Sequence, residues 1–377
     1  MFRLNGDDLA WLPELESPAW APREPIRTKG CSTIDECRSG WFVERIIPHG
    51  LSGVQFDGAM SAPLAVCLTP DALYFRPAVF TAAGLLAQSD ADGLEVILLC
   101  EEKDVAPGFE RLDPALRKRI RLQFVNWEQH VRGLPTRGHF TSAVNRRLAL
   151  HRVLDERYAR FVSMDADLRI GRPGLAALAT LDLGGKPLAA ALDMIFLKDL
   201  EDGPLTPEFK AYRARLGLGP ATPYFNNGLT LVDRHLWEKL DVPGAATAFL
   251  AAHPERCSFL EQSALNAVVH GEFAPLSPRY NFMGDFQLLD LEEEVRPIVH
   301  HFVNQPKPWE PGWRGDHRVA QAYKTWFQGS PWPGMADAIT PGGTMPTLDG
   351  DSSAFRSRLL AFLRRQRFID GWTVSAA

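Results

Sequence analysis

The sequence predicts an α/β fold: a mostly parallel central sheet with helices on both faces. Short apolar runs of strand length recur between residues 64 and 232, and helical stretches separate them. The runs are close to continuously apolar, as in strands covered on both sides.

Leu64–Thr69 is the first such run, stopped by Pro70-Asp71. Pro77 suits a first helical turn and opens a helix to Leu86. Leu94–Leu99 and Ile120–Val125 are the next strands, and Thr141 caps a helix running to about Leu154. Ala159–Met164, Leu188–Leu192 and Leu229–Val232 follow as strands, and Phe259–Val269 as a helix. Residues 1–60, rich in turn and charge signals, are an N-terminal extension; 61–330 form one domain; 331–377 are a Gly/Pro-rich linker and a basic helix. Read as a helix, Ser353–Ile369 sets Phe355, Leu359, Phe362, Leu363 and Ile369 on one face, bordered by Arg356, Arg358, Arg364, Arg365 and Arg367. Such a stripe suits either docking on the fold or peripheral contact with an anionic membrane.

Composition excludes several classes. The 377 residues are 45% hydrophobic and 23% charged, with a formal net charge of -5. A mildly acidic chain lacks the basic surplus that nucleic-acid binding draws on. No apolar run approaches the length of a membrane helix, and Met1–Glu16 lacks the basic-then-apolar layout of a signal peptide. The five cysteines (Cys31, Cys37, Cys67, Cys100 and Cys257) include no Cys-x-x-Cys pair, so a reduced, cytoplasmic protein is expected.

The chemistry concentrates after the fourth strand. Asp165 and Asp167 stand at i and i+2 past Arg160–Met164, where both carboxylates can face one hard divalent cation. The same tripeptide pattern occurs at Asp90-Ala-Asp92 and Asp349-Gly-Asp351, which read as solvated turns. His301 can add an imidazole, a set suited to Mn²⁺, and Lys307 a positive charge for a phosphate oxygen.

An ordered series of motifs spans roughly residues 64–309. It comprises Thr69-Pro-Asp71-Ala-Leu-Tyr74, Arg147-Leu148, Asp165-Ala-Asp167 and Ala189-Ala-Ala-Leu-Asp193. It continues with Tyr224-Phe-Asn-Asn-Gly228, Glu261-Gln-Ser-Ala-Leu-Asn266, Pro278-Arg-Tyr-Asn-Phe-Met283 and His301 to Trp309. In this series the chain resembles glycosyltransferase family 8, retaining enzymes of the GT-A fold. The resemblance implies that Asp165, Asp167 and His301 bind Mn²⁺, with Mg²⁺ as the alternative, and that Lys307 meets the donor diphosphate. It implies that Asp71 accepts the uracil imide hydrogen of a UDP-sugar and Tyr74 stacks on the base. Arg147, or Arg146 one residue away, would face the donor sugar or phosphates. Asn226 and Asn227, in a turn before the strand Leu229–Val232, would bind sugar hydroxyls, with Asp193 and Glu261 bordering sugar and acceptor. Gln262 would lie beside the anomeric carbon; as an amide it favours front-face substitution, with Glu261 the carboxylate alternative. The acceptor would be a glycan, a lipid-linked glycan or a protein.

Glu261-Gln262-Ser263 stands where members often carry Asp-Gln-Asp, and Asn304 where they often carry Gly. Two other readings compete: a nucleotidyltransferase, disfavoured because Leu68–Tyr74 has neither glycine nor a basic residue, and a non-catalytic sugar-nucleotide-binding or scaffolding protein.

Overall fold

The structure is a computed structural model that describes residues 63–138, 141–340, 342, 348 and 350–369. The expected extension 1–60, Cys31, Cys37 and Asp349 lie outside them. The strands are β1 (Leu64–Leu68), β2 (Leu94–Cys100), β3 (Ile120–Phe124), β4 (Arg160–Met164) and β5 (Leu168–Ile170). They continue as β6 (Leu188–Leu192), β7 (Phe225–Asp233), β8 (Ala274–Leu276), β9 (Phe282–Met283) and β10 (Val299–His301).

Seven of these form the central sheet in the order β3-β2-β1-β4-β7-β6-β8. It is mostly parallel, as expected; β7 alone runs antiparallel to its neighbours β4 and β6. A second, three-stranded sheet has the order β5-β10-β9. Side chains alternate across β1, so Leu64, Val66 and Leu68 enter one core and Ala65 and Cys67 the other. The first core receives helix α1 (Phe75–Leu86), which begins two residues before the expected Pro77. Proline there still lies in the first turn, where its missing N–H costs nothing. The opposite core receives α2 (Val242–Ala252) and α3 (Leu260–Val269). Helix α4 (His317–Gln328) returns to the α1 side through Val319, Tyr323 and Phe327.

The described residues form one compact unit. The C-terminal helix α5 (Gly350–Arg365) is part of its core: Phe355, Leu359 and Leu363 are fully buried on the α3 side, together with Ile369. Arg358 donates to the carbonyls of Leu200 and Glu201, and Arg356 to that of Leu289. Four of the five residues of the apolar stripe offered to a membrane surface are therefore covered by the fold, and Phe362 is partly buried. Among the described residues no helix is long and apolar enough to cross a membrane.

Four local expectations change. Thr141 caps its helix by accepting from Ala143 N–H, yet Ser142–Ala149 is a 3₁₀ run and only Leu150–Val153 is α. Asn226-Asn227-Gly228, expected as a turn, lies inside β7. Asp90 caps the segment around Gly174 by accepting from Gly174 and Ala176 N–H at 2.8 and 3.0 Å, so it is more than a solvated turn residue. Asp351 sits in the first turn of α5.

Candidate active site

The site forms where the two sheets meet. β4 pairs with β7 up to Met164 opposite Leu229, and the next N–H, that of Asp165, donates to Gly228 O at 2.9 Å. The chain then crosses to the small sheet, where Leu168 is in register with His301. Asp165-Ala166-Asp167 is thus a short bridge between sheets, and Phe302 N–H returns to Asp167 O at 3.1 Å. Buried Thr81 of α1 pins the bridge, donating to Leu168 O at 2.7 Å and approaching Ala166 O at 3.2 Å. Backbone pairing, rather than side-chain packing alone, places the two carboxylates and the imidazole together.

His301 Nε2 lies 3.6 Å from Asp165 Oδ2 and 3.5 Å from Asp167 Oδ1. Potential ligand atoms of the three residues fall within 4.8 Å of one another. Asp167 and His301 are buried and Asp165 is partly exposed, so the centre opens on the Asp165 side. Lys307, also buried, donates to Asp167 Oδ2 at 2.8 Å and to Phe302 O at 2.6 Å. Burial alone would raise the Asp167 pKa, but Lys307 and His301 hold the carboxyl well below the usual carboxylate range.

Arg147 occupies the other flank. Its guanidinium bonds Asp165 Oδ1 and Asn227 O, and its Nε lies 3.2 Å from Glu261 Oε1. Of the two arginines between which the sequence register was open, it is Arg147 that reaches Asp165. Arg146 turns away to Asp104 Oδ2 at 3.0 Å and to Pro70 O, holding the loop after β1. Burial works against charge on both Arg147 and Glu261, with unequal outcomes. Arg147 faces two carboxylates that together outweigh its burial and raise its pKa. Glu261 shares that one cation with Asp165, so burial prevails and its pKa is pushed up to about 7.

α3 delivers Glu261 and Gln262 from a strained start, since Leu260 has φ 44°, a left-handed conformation unfavourable for a branched side chain. Gln262 Oε1 accepts from Asn227 N–H at 2.9 Å, while its Nε2 approaches Tyr224 Oη at 3.3 Å and Asp193 Oδ2 at 3.4 Å. Asp193 caps the turn after β6 by accepting from Ile195 N–H at 2.8 Å, and takes a second bond from Asn226 Nδ2 at 2.8 Å. Burial raises its pKa.

Asp71 and Tyr74 lie in the loop after β1. Asp71 Oδ1 accepts from the N–H groups of Leu73 and Tyr74, and its Oδ2 accepts from Thr141 Oγ1 at 2.7 Å. Tyr74 is partly buried; its ring meets Trp309 edge to face at 6.0 Å, and Gln305 Nε2 approaches its hydroxyl at 3.4 Å. The segment from His301 to Trp309 therefore contacts the β1 loop through Tyr74. One network joins Arg147, Asp165, Asp167, Asp193, Asn226, Asn227, Glu261, Gln262, His301 and Lys307. Residue-type reasoning missed Gly228 and Asn281. Both lie inside the motifs quoted above, where Gly228 passed for a turn signal and Asn281 carried no chemistry of its own.

The residues fit a divalent cation: oxygen and imidazole nitrogen atoms converge, and His301 Nδ1 is engaged by Asn281 Oδ1 at 2.8 Å, which leaves Nε2 facing the carboxylates.

Residues 71–311, well over half of the chain, match the model of glycosyl transferase family 8. The chain belongs to that family. Among its relatives, the lipopolysaccharide glucosyltransferase WaaO of Escherichia coli (strain K12) is 23% identical over 276 residues, which cover 70% of this chain and 74% of WaaO. General stress protein A of Bacillus subtilis (strain 168) is 25% identical over 197 residues, 48% of this chain; the match spans 63% of that protein's length. The solved galactosyltransferase LgtC, in complex with donor and acceptor sugar analogs, superposes with a TM-score of 0.57 at 18% identity, covering 78% of this chain and all of LgtC. WbbM, a bifunctional glycosyltransferase, gives 0.55 at 15% identity, with coverage of 76% and 53%. Family 8 membership and the shared fold of LgtC identify the mixed, mostly parallel architecture as GT-A.

Proposed function

We propose that this family 8 protein transfers a hexose, glucose or galactose, from a UDP-sugar to a glycan acceptor, with retention and with Mn²⁺ at Asp165, Asp167 and His301. The observation that carries the reading is the convergence of those three side chains beside buried Lys307 and Arg147. The nucleoside diphosphate that leaves a UDP-sugar is a polyanion, and charge compensation as its bond to the sugar breaks is what such a cluster supplies. The cation, when bound, neutralises the diphosphate.

This chain's own residues do the rest. Lys307 pairs with Asp167 and Arg147 with Asp165, and both add positive charge at the phosphates. Asp71 and Tyr74 receive the base, by accepting an imide N–H and by ring stacking. Asn226, Asn227 and Asp193 border the sugar. Gln262, fixed at its oxygen by Asn227 N–H, lies beside the anomeric carbon, where an amide stabilises positive charge better than it attacks. The bond from that carbon to the diphosphate breaks as the acceptor oxygen adds on the same face, and the acceptor proton passes to the departing phosphate oxygen. A nucleophilic role for Glu261 is disfavoured by its position against Arg147 and Asn227.

The names of WaaO and LgtC, which are a glucosyltransferase and a galactosyltransferase, support hexose transfer as the reaction class. The test is UDP release from a panel of UDP-sugars with Mn²⁺, Mg²⁺ or chelator present. Release from a UDP-hexose only with the cation supports the reading; UDP binding with no turnover of any donor would favour a non-catalytic binding protein.

A further inference from the structure

A main-chain N–H can only donate, and that of Gly228 meets Asn226 Oδ1 at 2.9 Å. This end of the Asn226 side chain is therefore the oxygen. Asn281 approaches the same oxygen at 2.8 Å, so it presents its NH₂ group there and its carbonyl oxygen at the other end. That Asn281 oxygen lies 2.8 Å from His301 Nδ1, where only an N–H can pair with it. The neutral imidazole then carries its lone pair on Nε2, the atom turned to Asp165 and Asp167. At the far end, Asn226 Nδ2 donates to Asp193 Oδ2 at 2.8 Å. Asp193, Asn226, Asn281 and His301 are all buried, so water does not compete for these bonds.

We infer that Asn281 is a positioning residue: it transmits the donor direction of the β7 backbone to His301, imposes the Nδ1–H tautomer, and so presents Nε2 to a divalent cation. In water the neutral imidazole prefers the opposite, Nε2–H form, so the fold works against an intrinsic preference. Outer partners of this kind typically change metal affinity about 10–100-fold when removed. The purpose of the relay rests on the proposed metal centre, but the tautomer exists without metal and is measured separately from it.

The experiment is ¹⁵N NMR of the histidine rings in the metal-free, full-length protein at pH 8, with the His301 signals assigned by their loss in His301→Ala. The expected wild-type pattern is a protonated Nδ1 and an unprotonated Nε2. Asn281→Ala should shift His301 toward the Nε2–H form and weaken binding of Mn²⁺ alone about 10–100-fold. Asn281→Asp keeps an acceptor facing Nδ1 and should retain the tautomer. An Nε2–H tautomer in the wild type overturns the inference even if no variant folds, as does an unchanged tautomer in folded Asn281→Ala. Wild-type protein with the Nδ1–H form but no Mn²⁺ binding would sink the metal reading while leaving the relay standing.

Discussion

Lys307 Nζ lies 2.8 Å from Asp167 Oδ2, both side chains buried, while the other oxygen of Asp167 faces His301 Nε2 at 3.5 Å. One carboxylate thus serves a fixed internal cation on one side and the open centre on the other. Lys307→Met would leave Asp167 buried without its partner, which costs on the order of 3 kcal/mol. Chemical denaturation at pH 7 should show that loss. The folded pKa of Asp167 is depressed, so its contribution is present above the unfolded value and disappears as pH falls through the folded one. Lys307→Met should therefore reduce the acid sensitivity of stability below about pH 4.

Glu261 has the opposite sign. Its folded pKa is raised from 4.5 to about 7, so the folded state binds more protons than the unfolded state between those values. Stability from this group is fully present below pH 4.5 and is lost as pH rises to about 7, by at most about 3 kcal/mol. Glu261→Gln removes this share, so the decline in denaturation free energy between pH 5 and 7.5 should become shallower. An unchanged slope would mean that Arg147 keeps Glu261 ionised throughout.

Gly228 tests the packing of the centre. A Cβ at this position would clash with Cε1 and Nδ1 of the His301 ring, although the backbone there has no positive φ. Gly228→Ala should displace the imidazole and lower Mn²⁺ affinity at least tenfold, the scale of losing an oriented ligand. Calorimetric titration with Mn²⁺ reads this. Circular dichroism should remain close to wild type, because alanine is tolerated in a strand.

This position also marks where sequence reading stops. Asn-Gly is a strong local turn signal, yet Gly228 lies inside β7, where a histidine from β10 leaves no room for a Cβ. No local pattern reports a contact made by a strand so far along the chain. The central strands were legible because burial on both faces leaves them continuously apolar, and Asp165-Ala-Asp167 because it follows one of them. The bridge between the sheets, the hydrogen bond from His301 to Asn281 and the different partners of Arg146 and Arg147 all depend on tertiary pairing. The amphipathic face of α5 was legible as well; what covers it was not.

Leu359 of α5 is fully buried in the core on the α3 side. Leu359→Ala should cost about 2–5 kcal/mol in denaturant unfolding. The full-length protein should not co-sediment with anionic liposomes through this helix. A variant as stable as wild type would mean that α5 leaves the fold in solution.

Gln262→Ala is expected to lower kcat far more than it weakens UDP affinity, because Gln262 bonds around the sugar-bordering residues Asn227 and Asp193 while Asp71 and Tyr74 lie in a separate loop. Steady-state kinetics with the preferred donor, paired with UDP titration, separates the two effects.

The most direct measurement is Mn²⁺-dependent UDP release from a UDP-hexose by wild type, Asp167→Asn and His301→Ala, each first shown to be folded. Wild-type turnover should vanish with chelator and return with Mn²⁺, and both variants should lose it while keeping native circular dichroism. Full Mn²⁺-dependent turnover in either folded variant would contradict the assigned centre.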